Sequence, residues 1–82
     1  MKFTEYFKHT RNRPDRAAIK MEWIEKVFYS PEYEQCQSDG RIKRWAWIDS
    51  EEKFLRVIVL EDNETIHNAF FDRSFKGQEN EH

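Results

Sequence analysis

The sequence is poor in the residues that build cross-links, metal sites and phosphate-binding loops. Its 82 residues include one cysteine, two glycines and two prolines. The lone Cys36 makes no internal disulfide and no thiol cluster for zinc, and two glycines are too few for a glycine-rich nucleotide loop. No spacing of histidine, cysteine and aspartate is typical of a metal site, and no Ser–His–Asp arrangement is evident. We therefore predict that the chain uses no metal and no cofactor.

Long apolar runs and an excess of positive charge are also missing. Nothing resembles a signal peptide or an apolar run of about 18 residues, so we expect a cytoplasmic protein that does not contact a membrane. The formal net charge is −2, whereas proteins that bind nucleic acid without sequence preference are usually basic. Any binding of nucleic acid must therefore rest on a local cationic patch.

Aromatic and charged residues are abundant. They make up 16% and 37% of the chain, respectively. The apolar residues are clustered rather than diluted, which is typical of a folded, highly charged small domain and not of a disordered chain. We predict one domain over residues 1–77 and a flexible tail over residues 78–82.

The apolar pattern of the first 30 residues predicts two helices. The first covers residues 2–12, because Phe3, Tyr6, Phe7 and Thr10 follow one another at a spacing of three and four. Pro14 interrupts this pattern, so residues 13–18 are expected to form a loop or an irregular turn. The second helix covers residues 19–30 and ends before Pro31. Its apolar stripe comprises Trp23, Ile24, Val27 and Phe28.

After Pro31 the pattern changes to strands. Residues 33–37 form a weak, polar edge strand, and Asp39-Gly40 is a hairpin turn signal. Further strands are predicted over residues 41–49, 54–61 and 65–71, and the β-branched residues of 54–61 make it the best central strand. The predicted fold is therefore α+β, with two N-terminal helices packed on one face of a four-stranded antiparallel meander sheet.

Alternation along the strands divides the predicted sheet into an apolar face and a mixed face. The apolar face, packed on the helices, is expected to carry Trp45, Trp47, Leu55, Val57, Val59, Ile66, Asn68 and Phe70. The mixed face is expected to carry Ile42, Arg44, Ala46, Arg56, Ile58, His67, Ala69 and Phe71. This assignment holds only without a β-bulge, which would exchange the faces of all residues beyond it.

The mixed face suggests phosphate chemistry. Arg44, Arg56 and His67 come from three successive strands and Arg73 follows the last, so these four are the candidate catalytic residues. Arginine offers a fork of donors to phosphate, and histidine exchanges a proton near neutral pH. RNA cleavage without a metal needs a base, a cation and an acid. The alternative is a packed or surface histidine, with the strand arginines solvated or in salt bridges with Glu34 or Glu61.

Candidates for contacting RNA or a partner protein are more widely spread. The stretch "RNRPDR", residues 11–16, holds three arginines, which either contact phosphate or an acidic partner or form a solvated loop. Trp45 and Trp47 resemble a stacking platform, but their alternation with Arg44 and Ala46 favours the core. The predicted RNA- or partner-binding residues are Arg41, Lys43, Arg11, Arg13, Arg16 and Tyr33.

Four stretches of the chain resemble a known family. They are "EWIEKVFYSPE", "DGRIKRWAWI", "FLRVIVLED" and "TIHNAFFDRSFKG", and the likeness extends over nearly the whole chain, residues 3–76. They resemble a small bacterial domain family, common in cyanobacteria, which in turn resembles the BrnT-type toxins of the RelE/ParE superfamily. The resemblance implies the toxin of a bacterial toxin–antitoxin pair: a metal-independent, often ribosome-dependent mRNA endonuclease held by a cognate antitoxin. It points to Arg44, Arg56, His67 and Arg73 as its site.

A second hypothesis is a non-catalytic protein-interaction module, or a small homo-oligomer such as a dimer without enzymatic activity. An exposed sheet edge or the mixed face would bind a protein or a second copy of the chain. The Arg/His cluster favours the ribonuclease, whereas the net negative charge favours the interaction module.

Overall fold

The structure is a computed structural model that describes residues 1–76. The predicted tail, residues 78–82, and the last residue of the predicted domain lie outside the described residues. The α+β class is confirmed, but the predicted count of two helices and four strands is wrong. In chain order the elements are β1 (Lys2–Phe3), α1 (Glu5–Thr10), α2 (Pro14–Ala17), α3 (Met21–Tyr29), β2 (Tyr33–Cys36), β3 (Ile42–Ile48), β4 (Lys53–Val59) and β5 (Thr65–Phe71).

The first residues form a strand where the sequence predicts the start of a helix. The Thr4 hydroxyl accepts a hydrogen bond from the N–H of Phe7 at 3.0 Å and caps α1, which fixes the start of the helix after Thr4. The N–H groups of Lys2 and Thr4 donate to the carbonyls of Glu64 and Ile66, each at 3.0 Å. These bonds add β1 to the sheet as a short strand parallel to β5.

Pro14 begins a short helix instead of lying in a loop or an irregular turn. It occupies the first position of α2, where a missing N–H and a fixed φ angle are compatible with a helix. The expectation of an irregular turn over residues 13–18 is therefore wrong. Helix α3 lies within the predicted residues 19–30, and its C-terminal cap is Ser30, directly before Pro31. Among residues 1–76, no helix is both long enough and apolar enough to cross a membrane.

The sheet has five strands in the order β1-β5-β4-β3-β2. Strands β2 to β5 pair antiparallel with their neighbours in sequence, as expected for a meander. Strand β1 pairs in parallel along the start of β5, so the sheet is mixed. The outer edges of the sheet are formed by β2 on one side and by β1 and the remainder of β5 on the other.

Strand β3 turns the opposite face to the helices from the one predicted. Ala46 pairs with Leu55, and Trp45 pairs with Arg56. Directly opposite residues of an antiparallel pair share a face, so Ala46 lies with the buried Leu55 and Trp45 lies with Arg56. Each alternating set of β3 consists of apolar residues and one cation, Arg44 or Lys43, so alternation alone did not distinguish them. The helix-facing residues of β3 are Ile42, Arg44, Ala46 and Ile48.

Strand β5 contains the β-bulge that exchanges the predicted faces. Val59 pairs with Ile66 and Ile58 pairs with Asn68, which leaves His67 as the extra residue. Ile66 faces the helices as predicted, but the assignment beyond the bulge is wrong. The residues of β5 that face the helices there are Ala69 and Phe71, and those that face away are Asn68 and Phe70.

The core lies between the helices and one face of the sheet. Three of the four residues in the predicted stripe of α3 are buried, and the fourth, Trp23, is half-buried with its ring centroid 6.1 Å from that of Phe71. The core residues are Phe7, Ile19, Ile24, Val27, Phe28, Ala46, Ile48, Leu55, Val57, Val59, Ile66 and Ala69. We call the side of the sheet away from the helices the second face. It carries Lys43, Trp45, Trp47, Phe54, Arg56, Ile58, Asn68 and Phe70.

Candidate functional site

The four candidate catalytic residues do not lie on one face of the sheet. Arg44 faces the helices, whereas Arg56, although on the neighbouring strand, lies on the second face. His67 occupies the bulge of β5, and Arg73 follows the end of that strand. The predicted shared face for Arg44 and Arg56 is wrong because β3 presents its other set of side chains to the helices.

Arg44 is buried and fully engaged. Its Nε donates to Glu34 Oε2 at 2.6 Å, its Nη1 donates to the Phe28 carbonyl at 3.0 Å, and its Nη2 donates to the Asn63 side chain. The guanidinium also lies over the Phe28 ring, 5.2 Å from the centroid. The pairing with Glu34 was one of the structural alternatives in the sequence. Arg44 therefore joins α3, β2 and the β4–β5 turn, and each of its three side-chain nitrogens has a hydrogen-bond partner.

Arg56 is held by Asp72, a residue that the sequence analysis did not single out. Its Nε and Nη2 donate to Asp72 Oδ2 at 2.9 and 2.5 Å, and the same oxygen accepts from Trp45 Nε1 at 3.0 Å. The other oxygen, Oδ1, accepts from the N–H and hydroxyl of Ser74 at 3.1 and 2.7 Å. Burial alone raises the pKa of Asp72, but the hydrogen bonds from Trp45, Ser74 and Arg56, with the charge of Arg56, lower it to about 2. The pair stays ionised at neutral pH.

His67 is a neutral histidine beside the N-terminal segment. Its ring stacks on Tyr6 with centroids 4.8 Å apart, and its Nδ1 lies 3.2 Å from the Thr4 hydroxyl. That hydroxyl already accepts from Phe7, so we assign its hydrogen to His67 Nδ1 and the imidazole proton to Nε2. Partial burial, with a smaller effect from the charge of Arg41, holds the pKa of His67 below its ordinary value of 6.5. The imidazole is therefore uncharged at neutral pH, and its one lone pair, on Nδ1, accepts the hydrogen bond from Thr4.

The predicted RNA- or partner-binding arginines have separate surroundings. Arg11 donates to the carbonyls of Arg16 and Ile19 at 2.7 and 2.6 Å, which ties down the chain after α2. Arg16 donates to Asn68 Oδ1 at 2.6 Å and lies over the Phe70 ring. Arg13 is exposed. Arg16 therefore lies beside β5, whereas the side chain of Arg11 is bonded to main-chain carbonyls and stabilises the fold.

The remaining predicted binding residues lie on β2 and β3 or next to them. Arg41 is 3.8 Å from Asp39 and lines a shallow cavity that also contains Glu61 and Asp62, a surrounding unsuited to phosphate. Lys43 is half-buried and faces away from Arg44. Tyr33 is half-buried at the sheet edge and packs edge-on against Phe54 and Phe75. These residues do not form one patch.

An aromatic cluster on the second face was missed. Trp45 and Trp47 lie on this face, so the prediction that they belong to the helix-packed core is wrong. Phe75 stacks on Trp45 with centroids 4.3 Å apart and an interplanar angle of 8°, and Trp45 is left only 4% exposed. Phe54 contacts Trp47 and Phe75 edge-on. We call Tyr33, Trp47, Phe54 and Phe75 the aromatic platform. The signal for it was Phe54 on the strand next to both tryptophans, with an anchoring Phe75 beyond β5.

Two open concavities flank the end of β5. The first, which we call the edge groove, has a volume of about 470 Å³ and runs between α2 and β5. The second, which we call the platform cleft, has a volume of about 360 Å³ and lies against the aromatic platform. Lys53 and Arg73 line both. The accessible cations at this end of the molecule, among them the candidate catalytic residue Arg73, therefore line these two grooves.

Within the described part of the chain, no group of three or more histidine, cysteine, aspartate or glutamate side chains could hold a metal ion. Cys36 is exposed and unpaired among the described residues. The site is consequently a set of hydrogen-bonding, aromatic and charged surfaces. Comparisons of the chain with protein-family models, with curated proteins and with solved structures find no match.

Proposed function

We propose that this chain is a protein-interaction module that binds an extended, acidic segment of a partner protein along the free edge of β5. The observation that carries the proposal is the hydrogen-bond pattern of that strand. The Asp72 N–H donates to the Phe54 carbonyl at 2.9 Å, so Asp72 and Phe54 form a hydrogen-bonded pair. Because such pairs alternate along an antiparallel ladder, the main-chain groups of Ala69 and Phe71 point away from β4.

Strand β1 covers only the first two residues of β5. At Ala69, the N–H is satisfied by the Asn68 side chain at 2.9 Å, and Arg16 reaches the carbonyl at 3.5 Å. The N–H and carbonyl of Phe71 find no comparable partner among residues 1–76. An extended peptide placed here would pair with these groups and add a strand to the sheet.

The edge groove supplies the chemistry for choosing such a peptide. Its cations are Arg16, Lys53 and Arg73, and its acids are Asp15 and Glu51. Asp15 lies 3.7 Å from Arg16, so this pair is already partly neutralised. The surplus of positive charge favours acidic side chains in the bound segment. In a toxin–antitoxin pair, as the family resemblance implies, the partner is the cognate antitoxin.

A matched pair of substitutions at Phe71 tests this proposal. Phe71→Pro removes the outward N–H but no bond to β4, whereas Phe71→Ala removes the same ring and keeps the N–H. The probe is an eight-residue peptide, about the length of one strand, of alternating glutamate and valine. We expect amide NMR shifts around β5 in wild type and Phe71→Ala, and a loss of at least about tenfold in affinity for Phe71→Pro. Equal binding to both variants, or equal binding of a lysine–valine peptide, would refute the proposal.

The ribonuclease toxin is the second candidate, and a neutral His67 favours it. A neutral imidazole can accept the proton of a 2′-hydroxyl, the first step of RNA cleavage without a metal. In His67 the lone pair that would accept it is on Nδ1, so this step requires the Thr4 hydroxyl to turn away. On this proposal, inducible expression arrests growth, purified protein cleaves mRNA with or without ribosomes, and both effects are lost in His67→Ala and Arg56→Ala. Normal growth together with intact RNA would exclude it.

A further inference from the structure

We propose that the platform cleft is a binding site for single-stranded nucleic acid. Its walls combine the half-buried rings of Trp47, Phe54 and Phe75 with the cations Lys53, Arg73 and Lys76. Sites that bind single strands without sequence preference are built from these two elements: aromatic rings on which bases stack and cations that follow the phosphates. The proposal requires neither the partner peptide nor any cleavage activity.

The aromatic platform offers stacking surface that the fold does not use up. Trp45 covers one face of Phe75, so a base that reaches Phe75 would stack on its other face. Two contacts fix Trp47. Its main-chain carbonyl accepts a hydrogen bond from Lys26 Nζ at 2.8 Å, and Phe54 contacts its ring edge-on with centroids 5.1 Å apart. The rings are thus fixed before a ligand arrives, which lowers the entropy lost on binding.

The charge around the cleft is positive, although the whole chain carries −2. Asp72 lines the cleft, but its carboxylate is neutralised by Arg56 at 2.5 Å. Glu52 is the other acid of the lining, against three cations. Among residues 1–76, Arg73 and Lys76 make no ion pair, and both are exposed. The excess of positive charge at the cleft provides the local cationic patch that nucleic-acid binding by this acidic chain requires.

Unpaired strands fit this site better than duplexes. A base presents its flat face to an aromatic ring only when it is not stacked between neighbouring base pairs. The platform cleft is also small, about 360 Å³, and no helix of the described chain projects toward it as a groove-reading element would. The geometry therefore favours one or two unpaired bases on the platform, with their phosphates along Arg73 and Lys76.

The test measures fluorescence anisotropy of a labelled 2′-O-methyl adenosine oligonucleotide about ten nucleotides long, which binds like RNA but resists cleavage. At low salt we expect the single strand to bind at least about tenfold more tightly than a duplex of the same length. The double variant R73Q/K76Q should reduce the salt dependence of log K by about 1.4, because two phosphate contacts are lost. Its matched control, K2Q/K8Q, removes the same charge from exposed cations elsewhere and should leave affinity unchanged.

The aromatic contribution is tested separately. Trp47→Ala should weaken binding about tenfold and Trp47→Phe should retain most of it, because a phenyl ring still stacks. Tyr29→Ala, which removes an aromatic side chain that is 66% exposed elsewhere, should have no effect. Absence of binding at low salt, equal affinity for duplex and single strand, or an equal loss in both double variants would overturn the proposal.

Discussion

Replacing Asp72 with asparagine tests how the segment after β5 is held against the second face. The Asp72 side chain is 5% exposed and receives hydrogen bonds from Arg56, Trp45 and Ser74. Burial raises the pKa of Asp72, the hydrogen bonds and the charge of Arg56 outweigh it, and the pKa falls from its ordinary 3.8 to about 2. This difference corresponds to about 2 kcal/mol of stability at neutral pH.

The sign of the pH dependence follows from the lowered pKa. The folded state binds fewer protons than the unfolded state. The stabilisation by the ionised Asp72 is therefore present above about pH 4 and is lost as the pH falls toward about 2. At pH 7, Asp72→Asn should lower the free energy of unfolding by about 2 kcal/mol and Tm by about 10 °C. The gap between wild type and variant should shrink as the pH falls, because the wild-type carboxyl becomes protonated. Urea unfolding followed by tryptophan fluorescence at several pH values measures the loss of stability at pH 7 and its decrease at lower pH.

The control is Asp49→Asn, at an exposed aspartate whose side chain makes no hydrogen bond or ion pair with the other described residues. It should change the free energy of unfolding by less than about 0.5 kcal/mol. Two results would refute the reasoning. No gap at pH 7 would show that the ion pair contributes nothing, and a gap of the same size at pH 2 would assign the loss to altered packing instead of charge.

Three further predictions follow from single contacts. Phe75→Ala should uncover Trp45, shift tryptophan emission to longer wavelength and lower stability by about 2 kcal/mol in guanidinium titration. The pKa of His67 measured by NMR should lie below 6.5, because the imidazole is partly buried. The free energy of unfolding should therefore fall as the pH falls below about 6.5. Tyr6→Ala should move the pKa of His67 back toward 6.5. Gly40→Ala should lower stability by about 1 to 2 kcal/mol, because the glycine has a φ of +92°.

Each of these has a result that contradicts it. Unchanged tryptophan emission in Phe75→Ala would mean that Phe75 does not shield the indole. Tyr29→Ala is the control for His67, since Tyr29 contacts Phe28, and a shift as large as that of Tyr6→Ala would exclude the stacking contact as the cause. The added Cβ at Gly40 would also lie 3.0 Å from a carboxylate oxygen of Glu61, so wild-type stability of Gly40→Ala would show that neither the positive φ nor this contact destabilises the variant.

The face that a strand turns to the helices was predictable where one alternating set is wholly apolar inside the strand, and the prediction failed where each set contains a cation there. In β4, Leu55, Val57 and Val59 alternate with Arg56, and the apolar set faces the helices as predicted. In β3 each set contains one cation, Arg44 or Lys43, among apolar residues. The choice between the sets depends on the pairing with β4, which the sequence of β3 does not specify. No local feature of the sequence marks the β-bulge at His67. The predicted faces could therefore be given only on the condition that no bulge occurs.

The predicted convergence of the candidate residues on one face of the sheet was wrong for the same reason. A cluster of Arg44, Arg56 and His67 needed three face assignments to be correct, and the faces of Arg44 and His67 depended on the register of β3 and on a bulge. Each of the two strand arginines also pairs with an acidic residue that is distant in the sequence. Asp72, the partner of Arg56, lies 16 residues from it. Such pairs satisfy buried cations in the fold, so two strand arginines were a weak sign of catalysis without knowledge of their acids.

The Arg56–Asp72 pair also distinguishes the two functional proposals. A phosphate can use the Nε and Nη2 donors of Arg56 only by displacing the Asp72 carboxylate, which holds them with bonds of 2.9 and 2.5 Å. A cost of about 2 kcal/mol corresponds to about 30-fold in affinity. If Arg56 acts on RNA, Asp72→Asn should therefore increase cleavage by up to about 30-fold below the unfolding temperature, despite its lower stability. The increase should disappear in the double variants Asp72→Asn with Arg56→Ala or with His67→Ala. If Asp72→Asn leaves RNA intact while Phe71→Pro still abolishes peptide binding, Arg56 is a structural residue and the chain acts through its sheet edge.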